Sequence, residues 1–251
     1  MATDQHRMRV ALAQIRSKPG DVDSNVATHR RFTEHAIDHQ ADVIVFPELS
    51  ITGYEPTLAR TKMREPIDWQ LTALQHLSDS GSIQICFGAP LIGLAAPKIA
   101  AITVRPGKTH CCYSKMHLHA DELPYFEAGA EYTGILPCKM PLGLAICYEL
   151  SIPEHVETVF EHGAKLYVAS VAKSAVGVTN AIPHLKRTAT ERNVHVLMVN
   201  GVGPSENFVS SGKSAVWNPH GELLAALDDD KEGILYFDAI DGTATMSPAP
   251  K

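Results

Sequence analysis

Short apolar runs alternate with amphipathic segments along the 251-residue chain. The apolar runs are rich in β-branched residues, which is typical of buried strands. They predict strands over Arg9–Ile15, Asp42–Phe46, Ile83–Phe87, Ala100–Val104, Cys111–Ser114, Leu142–Cys147, Leu166–Ser170, Val194–Val199, Ser214–Trp217, Leu223–Leu227 and Ile234–Phe237. Helical spacing of apolar positions predicts helices over Asn25–His39, Trp69–Ser78, Pro153–His162 and Pro183–Asn193. This order predicts a layered α/β domain with a mixed sheet, and it leaves open whether there are one or two sheets.

No internal repeat, low-complexity linker or change of composition divides the chain. Its length lies at the upper end of what one α/β domain normally spans. We therefore predict a single domain over residues 1–251, in which residues 246–251, with their two prolines, form a loose tail.

The composition is that of an ordinary folded protein, with 45% hydrophobic and 20% charged residues. The net charge of −6 gives no electrostatic reason to expect binding to nucleic acid or to an anionic membrane, and a small polar or neutral substrate is the better expectation. The five cysteines are odd in number and contain no CxxC pair, which favours free thiols in a reducing compartment. With no long apolar segment at the N-terminus or elsewhere, the chain is predicted to be cytoplasmic.

Three segments place a reactive side chain at the end of a predicted strand. Glu48 follows the first of these strands and a proline, Lys115 follows the second, and Cys147 ends the third. A single Glu or Lys at such a position is most often a solvent-exposed surface residue, so neither carries a function alone. A cysteine within a strand is most often a small buried apolar residue, and we interpret Cys86 and Cys138 in that way.

Cys147 differs because a helix is predicted to begin shortly after it. Ser151 and Glu154 have the spacing of a capping box, and Pro153 suits the first turn of a helix. The partial positive charge of a helix N-terminus would favour a thiolate at Cys147. This position favours a functional cysteine over a purely structural one, but does not decide between them alone.

A metal site is the competing interpretation of one cluster. His110, Cys111 and Cys112 precede His117 and His119, all of which are possible zinc ligands. Adjacent cysteines point to opposite faces of a strand, however, and the His-x-His pair lacks the usual partner spacing. Because no further signal supports a metal site, the sequence disfavours one.

Taken in order, the three segments resemble the nitrilase, or carbon–nitrogen hydrolase, superfamily. The residues that carry the resemblance are Pro47-Glu48-Leu49 followed by Gly53-Tyr54, then Lys115-Met116-His117-Leu118, then Cys147-Tyr148-Glu149 ending in Pro153-Glu154. The family's second glutamate, seven residues after the lysine, matches Glu122, and the following glycine matches Gly129. Its later landmarks match Glu191, Asn200, Gly203, the segment 212–214 and the segment 219–221, so the resemblance covers nearly the whole chain.

The resemblance implies a four-layer α-β-β-α sandwich with two mixed sheets, commonly assembled as a homodimer or a higher homo-oligomer. It implies hydrolysis of a non-peptide C–N bond of a small molecule without a metal or an organic cofactor. Cys147 would be the nucleophile, Glu48 the general base and Lys115 the oxyanion-stabilising cation, with Glu122 orienting the substrate or adjusting the pKa values of its neighbours. Tyr54, Tyr148 with its backbone N–H, Ala172 and Lys173 would line the substrate pocket.

The chain departs from the family's common pattern at the pocket. Ser151 stands where many relatives carry an arginine, which removes a possible bidentate partner for a substrate carboxylate. Lys173 stands where relatives often have an aromatic residue. The family's Arg-Ala-x-Glu-Asn element is replaced by Thr188-Ala189-Thr190-Glu191-Arg192.

Several functions remain open on this scaffold. An amidase acting on a small carboxamide or an N-carbamoyl compound is the leading hypothesis. Nitrile hydrolysis and acyl transfer to an amine would use the same residues, and a catalytically silent binding or partner protein is an alternative of another class. A redox function is disfavoured because the chain has no resolving CxxC pair.

Overall fold

The structure, a computed structural model, describes residues 8–62 and 68–251. Its strands are β1 (Arg9–Gln14), β2 (Val43–Val45), β3 (Gln84–Leu91), β4 (Lys98–Arg105), β5 (Lys108–Ser114), β6 (Ile135–Leu136), β7 (Leu142–Ile146), β8 (Leu166–Val171), β9 (Val196–Asn200), β10 (Val202–Pro204), β11 (Val209–Ser211), β12 (Ala215–Trp217), β13 (Leu223–Ala226), β14 (Gly233–Asp238) and β15 (Thr243–Pro248). Its α-helices are α1 (Val22–Asp38), α2 (Pro56–Lys62), α3 (Asp68–Gly81), α4 (Pro153–Glu161) and α5 (Ala175–Arg192). A short 3₁₀ helix covers Cys147–Ser151.

The strands form two large sheets and a separate two-stranded ribbon. The first sheet has the order β15-β14-β1-β2-β3-β4-β5, the second has the order β13-β12-β9-β8-β7-β6, and β10 pairs with β11 in the ribbon. The central strands are parallel in both sheets, β1 with β2 and β3 in the first and β7 with β8 and β9 in the second, whereas the outer pairs are antiparallel. Both sheets are therefore mixed. The sequence pattern left open whether there are one or two large sheets, and the structure has two.

Alternation along the strands divides the core into layers. In β1, Ala11 and Ala13 pack with Phe32 of α1 in one apolar cluster. The intervening Val10 and Leu12 belong to the other cluster, which contains the buried strands of the second sheet and the inner faces of α4 and α5. The layers thus run from α1 and α3 through the two sheets to α4 and α5, which confirms the four-layer α-β-β-α sandwich.

Several predicted boundaries differ from the structure by a few residues, and two predictions are wrong in a way that changes an element. Helix α5 begins at Ala175, eight residues before the predicted start at Pro183, because Ser174 caps it and the proline is accommodated inside the helix. Residues 246–248 are not a loose tail, because they complete β15, which pairs antiparallel with β14 at the edge of the first sheet. This edge strand is mostly exposed, so it has no apolar run by which the sequence could reveal it.

Among the described residues, no helix combines the length and apolarity needed to cross a membrane.

One close approach fixes the turn after β2, which carries Glu48. A Cβ atom added to Gly88 of β3 would lie 2.1 Å from the Leu49 backbone nitrogen and 2.6 Å from the Pro47 carbonyl oxygen. Leu49 itself has a φ of 50°, in the left-handed region, so the turn is tight and strained. Only glycine lets β3 and this turn pack so closely.

We predict that Gly88→Ala destabilises the protein. The added methyl group meets backbone rather than a movable side chain, so the free energy of unfolding should fall by about 1–3 kcal/mol, as expected for overpacking. Denaturant unfolding measures this change. Gly201→Ala is the matched control, because its added Cβ would meet atoms only at 3.5 Å and beyond. Equal stability of the two variants would contradict the close-approach explanation.

Candidate active site

Glu48 lies at the carboxyl end of β2 and is almost completely buried, with 3% exposure. Its Oε1 accepts a hydrogen bond of 2.8 Å from the Lys115 ammonium. Burial raises the pKa of Glu48 to about 7, and the charge of Glu122 raises it further, while the Lys115 charge and hydrogen bonding from Lys115 and Cys147 act in the opposite direction. Glu48 can therefore exchange a proton near neutral pH.

A buried histidine supports the turn beyond Glu48. His29 Nδ1 lies 2.7 Å from the Asn25 carbonyl oxygen, which can only accept, so this nitrogen carries the proton. The other ring nitrogen then accepts from the Ser50 hydroxyl at 2.9 Å. Burial lowers the pKa of His29 to about 4, which keeps the ring neutral. Ser50 Oγ also accepts from the Gly88 N–H at 3.3 Å, which ties the turn to β3.

Lys115 follows β5 and is fully buried. Its ammonium donates to Glu48 Oε1 at 2.8 Å and to Glu122 Oε1 at 2.6 Å. Burial by itself lowers the pKa of Lys115, but the nearby Glu48, Cys147 and Glu122 side chains raise it above its ordinary value. Lys115 is therefore a permanent cation in this site.

Glu122 receives donors from three directions. Its Oε1 accepts from Lys115 and from the Tyr54 hydroxyl at 2.9 Å, and its Oε2 accepts from the His119 backbone N–H at 2.7 Å. Glu122 is buried as well, with 1% exposure. The carboxylate therefore fixes the Lys115 ammonium and the Tyr54 ring relative to each other.

Cys147 stands at the junction of β7 and the 3₁₀ helix. Its φ of 48° is unusual for a residue with a side chain and marks a strained strand-to-helix turn. The thiol Sγ lies 3.9 Å from the Ala172 carbonyl oxygen. Burial and the Glu48 charge raise the pKa of Cys147 to about 11, although Lys173 and Lys115 lower it. The expected stabilisation of a thiolate is therefore wrong for the ground state, because desolvation outweighs the favourable charges.

The predicted capping box after Cys147 is also wrong. The N-cap of α4 is Ile152, whose side chain accepts no hydrogen bond, and the Ser151 hydroxyl instead donates to the Tyr148 carbonyl oxygen at 2.7 Å. The 3₁₀ turn begins at Cys147 itself, so Tyr148 lies in a first helical turn, where backbone N–H groups have no intrahelical acceptor.

Sequence reasoning gave no role to Glu149, which connects the two halves of the site. Its carboxylate accepts from the Ile146 N–H at 2.8 Å, the Met116 N–H at 2.6 Å and the Tyr113 hydroxyl at 2.7 Å. These donors belong to the Cys147 turn and to the Lys115 segment, which come from different sheets. Nearby His155 is no ion-pair partner, because burial lowers its pKa to about 4. The available signal was its place in the Cys147-Tyr148-Glu149 segment, which carried the resemblance without assigning Glu149 a role.

The predicted substrate-binding residues line one cavity of about 410 Å³. Cys147 and Glu122 open onto this cavity together with Tyr54, Tyr148, Ala172 and Lys173. Glu48 and Lys115 are buried beneath it, within hydrogen-bond reach of each other. The structure therefore brings all eight predicted site residues together.

Asn200, one of the later landmarks, holds the wall of this cavity. Its side-chain oxygen accepts from the Lys173 N–H and its amide nitrogen donates to the Lys173 carbonyl oxygen, both at 2.9 Å. Glu191 is exposed on α5.

In the described part of the chain, no group of three or more His, Cys, Asp or Glu side chains is arranged to hold a metal ion.

Comparison with protein families identifies the class of protein to which this fold and this site belong. The sequence model of the family described as carbon–nitrogen hydrolase matches residues 9–244. The chain therefore belongs to the carbon–nitrogen hydrolase family, which confirms the resemblance to the nitrilase superfamily.

Individual proteins with similar sequences and folds span most of the chain. A probable nitrilase of Schizosaccharomyces pombe is 23% identical over 92% of this chain and 88% of its own length. An (R)-stereoselective amidase of Pseudomonas sp. is 26% identical over 86% of this chain and 80% of its own length. The structure of a double mutant of the amidase from Nesterenkonia sp. AN1, in complex with acrylamide, has a TM-score of 0.86 and 24% identity, and the match covers 95% of this chain and 92% of that chain.

Proposed function

We propose that this protein hydrolyses a non-peptide C–N bond of a small amide or N-carbamoyl compound through a thioester on Cys147, without a cofactor. The observation that carries the proposal is that Cys147 opens onto a cavity next to the buried Glu48–Lys115 pair. An amidase among the relatives supports an amide as the bond that is cleaved. The expected homodimer and the cytoplasmic location remain predictions.

In the first half of the proposed reaction, Glu48 removes the thiol proton as Cys147 Sγ attacks the carbonyl carbon. The Lys115 ammonium and the Tyr148 backbone N–H stabilise the negative charge that develops on the carbonyl oxygen. Glu48 then returns the proton to the leaving nitrogen, the C–N bond breaks, and ammonia or an amine departs. The product of this half-reaction is a thioester on Cys147.

In the second half, Glu48 removes a proton from a water molecule that attacks the thioester carbonyl. The same cation and N–H group stabilise the second tetrahedral intermediate. The C–S bond breaks, the acid is released, and the sulfur regains the proton held by Glu48. A pKa of Glu48 of about 7 suits this repeated acceptance and return of a proton at neutral pH.

The test is the release of ammonia from short carboxamides by purified wild type and by Cys147→Ala. We expect turnover by the wild type and a loss of about 10⁴-fold or more in the variant, as for removal of other catalytic nucleophiles. Cys111→Ala is the control, because Cys111 lies on β5 and is not among the residues that line the cavity. Activity that survives Cys147→Ala, or activity that a chelator abolishes, would contradict the proposal.

The pH dependence gives an independent prediction. Protonated Glu48 cannot accept the thiol proton, so kcat/KM should rise with pH on an acidic limb with an apparent pKa of about 7. The rate should be followed from about pH 4 to about pH 9, with thermal unfolding measured at each pH to exclude loss of fold. An acidic limb near the ordinary glutamate value of 4.5 would contradict the role of Glu48.

A further inference from the structure

We infer that the Lys173 ammonium is an anion subsite, so that the preferred substrate carries a carboxylate on the acyl side of its amide. This inference rests on the proposed function and narrows it from amides in general to short amides that are also acids. Lys173 is then a specificity-determining residue, separate from the residues that carry out the chemistry.

The first argument is the pairing of charges around the cavity. Among the acidic residues that line it, Glu122 already binds Lys115, and Asp121 lies 2.6 Å from His119 Nδ1. Lys173 has no carboxylate within 4.0 Å in the described part of the chain, although it is only partly exposed. Within the described residues, Lys173 is therefore a cation of this cavity that has no carboxylate partner.

The second argument is the rigidity of the Lys173 backbone. Its N–H and its carbonyl oxygen are both bound by the buried Asn200 side chain at 2.9 Å. The same carbonyl oxygen accepts from the Ser211 N–H at 3.0 Å. A Cβ added to Gly177 would lie 3.2 Å from Lys173 Cβ, so the base of the side chain also packs against the first turn of α5.

The third argument is proximity to the reacting sulfur. The residue before Lys173 places its carbonyl oxygen 3.9 Å from Cys147 Sγ, and both side chains open onto the same cavity. The Lys173 charge is close enough to lower the pKa of Cys147, against the larger effect of burial. A substrate whose carboxylate binds at Lys173 would therefore have only a short carbon chain between that carboxylate and the scissile carbonyl.

Uncharged groups that share the cavity with Lys173 suit a bound carboxylate. Ser151, Asn180 and His184 line the same cavity and carry no negative charge. Burial lowers the pKa of His184, and the charges of Arg187 and Lys173 lower it further, so the ring is a neutral hydrogen-bonding group. The Asn180 amide and the His184 ring can donate hydrogen bonds to an anion without competing for the ammonium, whereas the Ser151 hydroxyl already donates to the Tyr148 carbonyl oxygen.

The experiment compares two substrates of similar length, succinamate, which ends in a carboxylate, and butyramide, which ends in a methyl group. Lys173→Met removes the charge but keeps an unbranched side chain. We expect kcat/KM for succinamate to fall by about 10²-fold and kcat/KM for butyramide to change less than about threefold, because only succinamate loses a charged partner. Lys173→Arg should restore part of the succinamate activity. Lys186→Met, at an exposed position of α5, should leave both substrates unaffected.

An equal fall for both substrates would overturn the inference, because Lys173 would then act on the Cys147 thiol. No fall for either would overturn it as well. Succinate binding, measured by calorimetry, separates this inference from the proposed function. If the wild type hydrolyses neither amide but binds succinate, and Lys173→Met does not bind it, the proposed function fails and the subsite stands. If the wild type hydrolyses butyramide but does not bind succinate, the subsite fails and the proposed function stands.

Discussion

The site depends on a single buried ammonium held between two carboxylates. Lys115 has no contact with solvent, and its hydrogen bonds to Glu48 and Glu122 at 2.8 and 2.6 Å compensate for the loss of water. Removing one partner from such a group typically costs about 3–5 kcal/mol. Burial, together with the negative charge that remains when two carboxylates share one ammonium, raises the pKa of Glu48 to about 7 and keeps Cys147 a thiol. In the resting site, the proton that the proposed reaction moves is therefore still on the Cys147 sulfur.

The two-sheet architecture brings these groups together from distant parts of the chain. Glu48 and Lys115 follow strands of the first sheet, and Cys147 follows a strand of the second. Glu149 joins the halves, because one carboxylate accepts from the backbone on both sides. A shift between the sheets would therefore separate the nucleophile from the base, so the packing of the two sheets is also what positions the chemistry.

The apolar runs made most strands predictable. The positions of Glu48, Lys115 and Cys147 at the ends of such runs made these residues candidates for the site. Edge strand β15 and the early start of α5 were missed, because an exposed strand has no apolar run and Pro183 resembles a helix start. The order of the motifs identified Glu122, but no periodic pattern could show that its carboxylate meets Lys115. The raised pKa of Cys147 could not be predicted either, since desolvation depends on the folded surroundings. The roles of these residues in catalysis remain a proposal.

Acid-quench mass spectrometry during turnover of an activated butyrate ester tests the central claim most directly, since a good leaving alcohol makes deacylation the slow step. Peptide mapping locates any acyl group among the side chains. We expect a butyryl mass on the peptide that contains Cys147, appearing during turnover, disappearing as the ester is exhausted, and absent in Cys147→Ala. Steady turnover with the acyl group on another residue, or with Cys147 unmodified throughout, would contradict a reaction through a Cys147 thioester.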